Sequence, residues 1–237
     1  MQILEGAGVC KNFGGLAAIS RVDFHVNEGE ILGLIGPNGA GKTTLFNLIS
    51  GAFITKVGEI KYRDRCITGL KPYQICRLGV ARTFQSVKIF GNMTVLDNVL
   101  LGSLFGASMP AGQARKEALE LLDFVGLSGV SMLPAKDLTL SRQKRLEVAR
   151  ALATRPKVLL LDELMAGLNA AEVAEAMELV MKIRERGITI FMIEHVMKAI
   201  MSVCDRIIVL HHGEKIAEGT PQEIATSKTV VEVYLGE

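Results

Sequence analysis

Short apolar runs, separated by polar and glycine-rich segments, recur along the chain. Ile31-Leu32-Gly33-Leu34-Ile35, Val158-Leu159-Leu160-Leu161 and Ile188 to Ile193 are continuous. Runs of this kind predict strands covered on both faces, as in a parallel sheet. Ser20 to Glu28 has another period: Val22, Phe24 and Val26 alternate with Asp23, His25 and Asn27, the pattern of a half-buried strand. Ile3 to Val9, Val57 to Tyr62 (antiparallel) and Arg206 to Leu210 read as further strands, and Gly79 to Gln85 as a short one ending on a glutamine.

Helical spacing separates these runs. Ala114, Ala118, Leu121, Leu122 and Val125 predict a helix from about Gly112 to Val125, stopped by Gly126. Leu146, Ala149, Leu152 and Ala153 predict another from Leu140 to Thr154, with Thr139 as its cap. Its charges, Arg142, Lys144, Arg145, Glu147 and Arg150, read as a solvated face. Val173, Met177, Val180 and Ile183 predict a helix from Ala170 to Arg186, capped by Asn169 and stopped by Gly187. Thr94 with Asp97, and Thr220-Pro221-Gln222-Glu223, mark two more helix starts. Thr94 to Leu133 thus reads as a helical lobe between two parts of an α/β core.

Composition narrows the function classes. The 237 residues are 49% hydrophobic, enough for a sizeable core in one α/β domain with an inserted lobe. A net charge of +2 gives no broad nucleic-acid footprint, so no nucleic-acid partner is expected. Cys10, Cys66, Cys76 and Cys204 have no C-x-x-C spacing, so neither a zinc site nor a disulfide framework is indicated. The N-terminal stretch lacks a signal-peptide pattern, and no apolar run approaches the length of a membrane span.

The candidate chemistry centres on Gly36-Pro37-Asn38-Gly39-Ala40-Gly41-Lys42-Thr43-Thr44, which fits G-x-x-x-x-G-K-[ST]. The flanks predict strand before and helix after, the context this motif needs. Glycines bring backbone N–H groups close to an anion, and the helix N-terminus adds a partial positive charge. Lys42 supplies a full charge to the β- and γ-phosphates and the Thr43 hydroxyl can ligate magnesium. A nucleoside triphosphate is the expected ligand.

Lys157 to Glu163 carries two carboxylates at a strand end, the edge where open parallel sheets place ligands. Asp162 is placed to hold magnesium through water, and Glu163 to polarise a water for in-line attack on the γ-phosphate. His195, after the Ile188–Ile193 run, either bonds the γ-phosphate or is a packed structural histidine. Phe13, beside Gly14 and Gly15, either stacks on a base or belongs to a turn. Gln85 alone reads as a surface amide.

The order of these parts resembles an ATP-binding-cassette (ABC) ATPase over the whole chain. The nearest resemblance is to the ATP-binding subunits of branched-chain amino-acid-type importers. It is carried by GPNGAGKTTLFNLISG, ARTFQ, MTVLDNVLLG, RLEVARAL, VLLLDELMAGLN, IEHVMKAIMSVCDRIIVL, GEKIAEGTPQEI and the ending VVEVYLGE. The fold this implies is a P-loop NTPase (RecA-like) core with an antiparallel β subdomain and an inserted helical subdomain. Residues 1–85 and 155–237 would form the first two, and about 86–154 the helical part.

The resemblance also implies roles. Phe13 would stack on adenine, and Gly36 to Thr44 would hold the phosphates of ATP. Thr43 and Gln85 would ligate Mg2+, with Asp162 reaching it through water. Glu163 would be the general base and His195 the γ-phosphate contact. Ala166-Gly167-Leu168-Asn169 resembles the loop that touches a second subunit. Two subunits, identical or paralogous, would close head-to-tail over two ATP molecules, each completing the other's site. Transmembrane permease subunits, and indirectly a solute-binding protein, are the implied partners. The implied location is peripheral, on the cytoplasmic face of the inner membrane, with the isolated subunit soluble.

One motif departs from the family. Where a signature resembling LSGGQ is expected in trans to ATP, this chain has Leu138-Thr139-Leu140-Ser141-Arg142. The Ser141 Cβ would hinder a backbone N–H from approaching phosphate if φ there were positive. Arg142 would either supply charge to the phosphates or spoil the geometry. A second function class follows: a module that binds ATP but scarcely hydrolyses it. A soluble ATPase acting on DNA or translation would need a coiled-coil insert, a second cassette or a basic patch, and the sequence has none of these.

Overall fold

The structure is a computed structural model that describes residues 1–235, so the last two positions of the ending VVEVYLGE lie outside it. Two strands, β1 (Gln2–Phe13) and β2 (Leu16–Asn27), form a hairpin that pairs Phe13 with Leu16. They are longer than the hydrophobic pattern predicts, because ladder pairing carries them through Lys11 and Asn12 to the Gly14-Gly15 turn. The remaining elements follow in chain order: β3 (Ile31–Ile35), α1 (Lys42–Ile49), β4 (Val57–Tyr62), β5 (Arg65–Cys66), α2 (Pro72–Leu78), β6 (Val80–Arg82) and α3 (Val95–Leu101). A π-helical turn, Gly102–Gly106, extends α3. Then come α4 (Ala111–Phe124), α5 (Leu140–Leu152), β7 (Val158–Asp162), α6 (Ala170–Glu185), β8 (Thr189–Ile193) and α7 (Met197–Val203). The last elements are β9 (Arg206–His211), β10 (Glu214–Gly219), α8 (Pro221–Thr226) and α9 (Lys228–Leu235).

These strands form two sheets. One is antiparallel, ordered β2-β1-β4-β5; the other is six-stranded, ordered β10-β9-β3-β8-β7-β6. In the second, β6, β7, β8, β3 and β9 run parallel and β10 closes the edge antiparallel. The expected α/β class with an additional antiparallel sheet is therefore what forms. Strands β3, β7 and β8 are buried at every position, which is why their sequences are continuous rather than alternating.

Each central strand divides its side chains between two cores. Ile31, Ile35, Leu159, Leu161, Ile190 and Met192 join a core with apolar residues of α3 to α7. Leu32, Leu34, Leu160 and Phe191 join the other, with α1 and the antiparallel sheet. There Phe191 packs against Phe46 of α1 at 5.0 Å between ring centroids and against Phe24 of β2 at 6.0 Å. This aromatic contact fixes the helix that follows the glycine loop against the strand that ends near His195. Among the described residues no helix is long and apolar enough to cross a membrane.

Removing that contact tests the packing. Phe191→Ala is expected to lower unfolding free energy by about 3–5 kcal/mol, as for other buried aromatic truncations. Phe105, which is 68% exposed, serves as the control, and its alanine variant should stay within about 0.5 kcal/mol of the parent. Urea unfolding followed by circular dichroism measures both.

Candidate functional site

The loop from Gly36 to Gly41 leaves β3 and turns directly into α1. Two positions explain its glycines. Gly36 has φ +151, and a Cβ there would lie 2.1 Å from the Leu210 carbonyl oxygen; Gly41 has φ +101, and its Cβ would meet the Ala18 oxygen at 2.4 Å. The first turn of α1 has no side-chain cap and no acidic residue, so its N–H groups remain available to an anion. Lys42 is buried, and its ammonium donates to the Gly36 and Pro37 carbonyls at 2.7 and 2.9 Å. Burial holds its pKa below the usual lysine range, with Glu163 and Asp162 opposing the shift.

A cleft of about 520 Å³ opens over this loop. Phe13, Lys42, Thr43, Gln85, Glu163 and His195 line it together with Asn38, Gly39, Ala40, Gly41 and Thr44, although they come from distant parts of the sequence. Gly36 and Pro37 stand behind the lining and hold the lysine. Phe13 stands at the hairpin end, 44% exposed, edge-to-face on Phe53 at 5.3 Å. Leu16, Ala18 and His212 also line the cleft. The sequence gives His212 no distinguishing signal, because only the β9–β10 turn brings it there.

The two strand-end acids diverge. Asp162 is 1% exposed; its Oδ2 accepts from Arg82 Nη2 at 2.8 Å, while its buried Oδ1 has no partner among the described residues. Burial raises the Asp162 pKa, and the Arg82 guanidinium pulls it back. Glu163 adopts φ +53, a left-handed conformation that costs roughly 1–2 kcal/mol. Its N–H donates to the Ile193 carbonyl at 2.9 Å. Its carboxylate receives Gln85 Nε2 at 3.1 and 3.0 Å, and His195 Nε2 lies 2.9 Å from Oε1. The left-handed turn thus leaves Asp162 under the sheet edge and delivers Glu163 to the cleft. Thr43 and Gln85 line the cleft and carry oxygens of the kind a hard divalent cation takes, whereas Asp162, with its uncommitted Oδ1, is not among the lining residues.

Helix α5 corrects several expectations. Thr139 occupies the cap position but makes no side-chain cap bond. Ser141 lies inside the helix and is not among the positive-φ residues, so the conflict expected of its Cβ does not arise. Arg142 is exposed, but Lys144 and Glu147, expected on a solvated face, are buried. The Lys144 ammonium donates to the carbonyls of Glu163 and Ala166, and Glu147 accepts from the N–H groups of Phe84 and Lys88. Their sequence signal is positional: Lys144, Val148 and Ala151 recur at helical spacing on one buried face. Thr139 to Arg142 and Ala166 to Asn169 lie outside the cleft. These two segments touch each other: a Cβ on Gly167 would sit 3.2 Å from Leu140 Cδ2. Asn169 caps α6 through Ala171 and Glu172 N–H, each at 3.0 Å.

Glu194 is a further buried acid that spacing alone does not single out. Its Oε1 accepts from Met165 N–H at 2.8 Å; its buried Oε2 has no partner within hydrogen-bond distance among the described residues. Burial pushes its pKa up to about 7, against the hydrogen bond from Met165 and the charge of Lys144.

Comparisons with known proteins bear on the family and the fold. The ABC transporter family model matches residues 19–166, and the model for branched-chain amino acid ATP-binding cassette transporters matches 214–237. The high-affinity branched-chain amino acid transport ATP-binding protein LivG of Salmonella typhimurium is 42% identical over 250 aligned residues, covering 99% of this chain and 98% of its own. An ABC transporter cassette solved in its ADP conformation superposes with a TM-score of 0.91 at 31% identity, over the full length of both chains. A dimeric cassette in a post-hydrolysis state, bound to ADP and Pi, gives 0.83 at 26% identity, over 92% of this chain and 99% of that one.

Glu194 sets a pH dependence. Its folded-state pKa of about 7 lies above the ordinary value of 4.5. The folded state therefore holds the extra proton between these values, and stability falls as pH rises through them. The full interval is worth on the order of 3 kcal/mol. Glu194→Gln is expected to flatten that decline, measured as the urea midpoint from pH 5 to pH 8.

Proposed function

This chain belongs to the ABC transporter family, and on that premise we propose that it is the ATP-hydrolysing subunit of an importer of branched-chain amino acids or related solutes. The observation that carries this reading is the Glu163 carboxylate, held by Gln85 and His195 in the lining of the cleft over the glycine loop. A loop that only bound nucleotide would have no need of a carboxylate presented there by a strained backbone.

In this reading the N–H groups of Gly39 to Thr44 and the Lys42 ammonium take the phosphates of ATP, and Phe13 takes the adenine. Thr43, Gln85 and Asp162 would hold Mg2+, which supplies charge neutralisation on the phosphate oxygens. The uncommitted Oδ1 of Asp162 supports that assignment. Glu163 accepts the proton of a water as its oxygen attacks the γ-phosphorus, and the bond to the bridging oxygen breaks to release ADP and phosphate. His195, within hydrogen-bond reach of Glu163, orients the carboxylate and contacts the γ-phosphate.

Two subunits act as a pair with membrane permease subunits. We assign the trans contacts to Thr139, Leu140, Ser141 and Arg142, and the loop contact with the second subunit to Ala166 to Asn169. Both segments lie off the chain's own cleft and against each other, as a shared docking surface would. The second subunit is a copy of this chain or a paralogue, a solute-binding protein supplies the substrate, and the assembly stands on the cytoplasmic face of the inner membrane. The helical unit is taken as about 86–154, set into 1–85 and 155–237.

Two outcomes test the reading. Lys42→Ala is expected to weaken ATP binding at least about tenfold, since it removes a charge-assisted contact; titration with a fluorescent ATP analogue measures this. Glu163→Gln is expected to bind ATP and magnesium normally but to run on gel filtration as a dimer that wild type forms only transiently. A Glu163→Gln protein that stays monomeric under saturating ATP contradicts the closure of two subunits over nucleotide.

A further inference from the structure

We propose that Lys144 is a positioning residue for hydrolysis: its ammonium clamps the Glu163 peptide and the Ala166 loop to α5, so that moving the first turn of that helix moves the general base. The inference rests on the assignment of Glu163 as that base. Lys144 is 6% exposed. Burying an ammonium is costly unless it is fully hydrogen-bonded. Here both bonds go to main-chain oxygens, Glu163 O at 2.8 Å and Ala166 O at 2.6 Å. Among the described residues Lys144 forms no salt bridge; Glu147, Glu163 and Glu194 supply a surrounding negative field instead. A cation placed this way holds a loop shape rather than neutralising a partner.

The loop shape it holds is the strained one. Glu163 has φ +53, and the two carbonyls that Lys144 gathers bracket the turn leading to Gly167. One turn along the same helix, Glu147 accepts from Phe84 N–H at 3.3 Å and Lys88 N–H at 3.1 Å, on either side of Gln85. Gln85 in turn donates to the Glu163 carboxylate. Helix α5 therefore grips the backbone of Glu163 through Lys144, and its carboxylate through Glu147 and the Gln85 loop. Leu140, in the first turn, rests against Gly167. That turn is the segment assigned to the second subunit's nucleotide, so α5 mechanically links docking to base placement.

The test uses Lys144→Met and Lys144→Arg in the cassette assembled with its membrane subunits. Lys144→Met keeps most of the volume but holds neither carbonyl. Its expected effect is a fall in kcat of about 10- to 100-fold, the scale set by small misplacements of a reacting group. Nucleotide Kd should stay within about twofold, because Lys144 lies outside the cleft. Lys144→Arg, which keeps the charge and has N–H donors enough for two acceptors, should recover kcat to within about threefold of wild type. A Lys144→Met kcat within about twofold of wild type overturns the proposal, as does parallel loss of binding and turnover in both variants. If the wild-type rate survives Glu163→Gln, the assignment of the base fails instead. Amide exchange at residues 163–169 then still decides the clamp: faster exchange in Lys144→Met supports it, and unchanged exchange overturns it.

Discussion

The hydrogen bonds to Glu163 are the constraint on which the site depends. Gln85 and His195 hold the carboxylate, Ile193 accepts from its N–H, and Lys144 donates to its carbonyl. These partners come from the segment after β6, from β8 and its following loop, and from α5. A left-handed residue costs roughly 1–2 kcal/mol and persists where surrounding contacts over-determine it. The network does so here, and it turns Glu163 toward the cleft while Asp162 stays buried with one oxygen uncommitted.

The parallel sheet makes that network possible. Strands β3, β7 and β8 lie side by side and their carboxyl ends share one edge. The glycine loop, Asp162-Glu163 and Glu194-His195 each follow one of those ends, so residues far apart in sequence meet without a long loop. The packing beneath is shared: Phe46 of α1 and Phe191 of β8 touch within one core. Misplacing that contact would shift the glycine loop relative to His195. Arg82 serves the same edge from β6, tying Asp162 to Asn47 and Ser50 around the end of α1.

Much of this was legible in the sequence because its signals are local. GPNGAGKTT sits between strand and helix as its spacing requires, and the buried strands announce themselves as continuous apolar runs. Thr94, Asn169 and Thr220 cap helices where their sequence patterns place them. Lys144, Glu147 and Arg82 were hidden for the opposite reason. Charged residues are normally solvated, and nothing local says that a cation will bury itself against two carbonyls from a loop nineteen positions away and beyond. Helical spacing outranks residue type there, since Lys144 shares a face with Val148 and Ala151. Ser141 shows the converse: its conflict was inferred from a family motif, and a helical backbone removes the premise. With it goes the main sequence argument for a module that binds ATP without hydrolysing it.

In the proposed mechanism Glu163 takes the proton of the attacking water. A single-turnover measurement of phosphate release, at saturating ATP and magnesium in the assembled transporter, tests it most directly. Glu163→Gln keeps the shape and hydrogen-bonding reach of the side chain but is a far weaker base. The expected rate is lower by about 10²- to 10⁴-fold at unchanged nucleotide occupancy, the range for loss of a general base. A rate within about threefold of wild type at the same occupancy would contradict it.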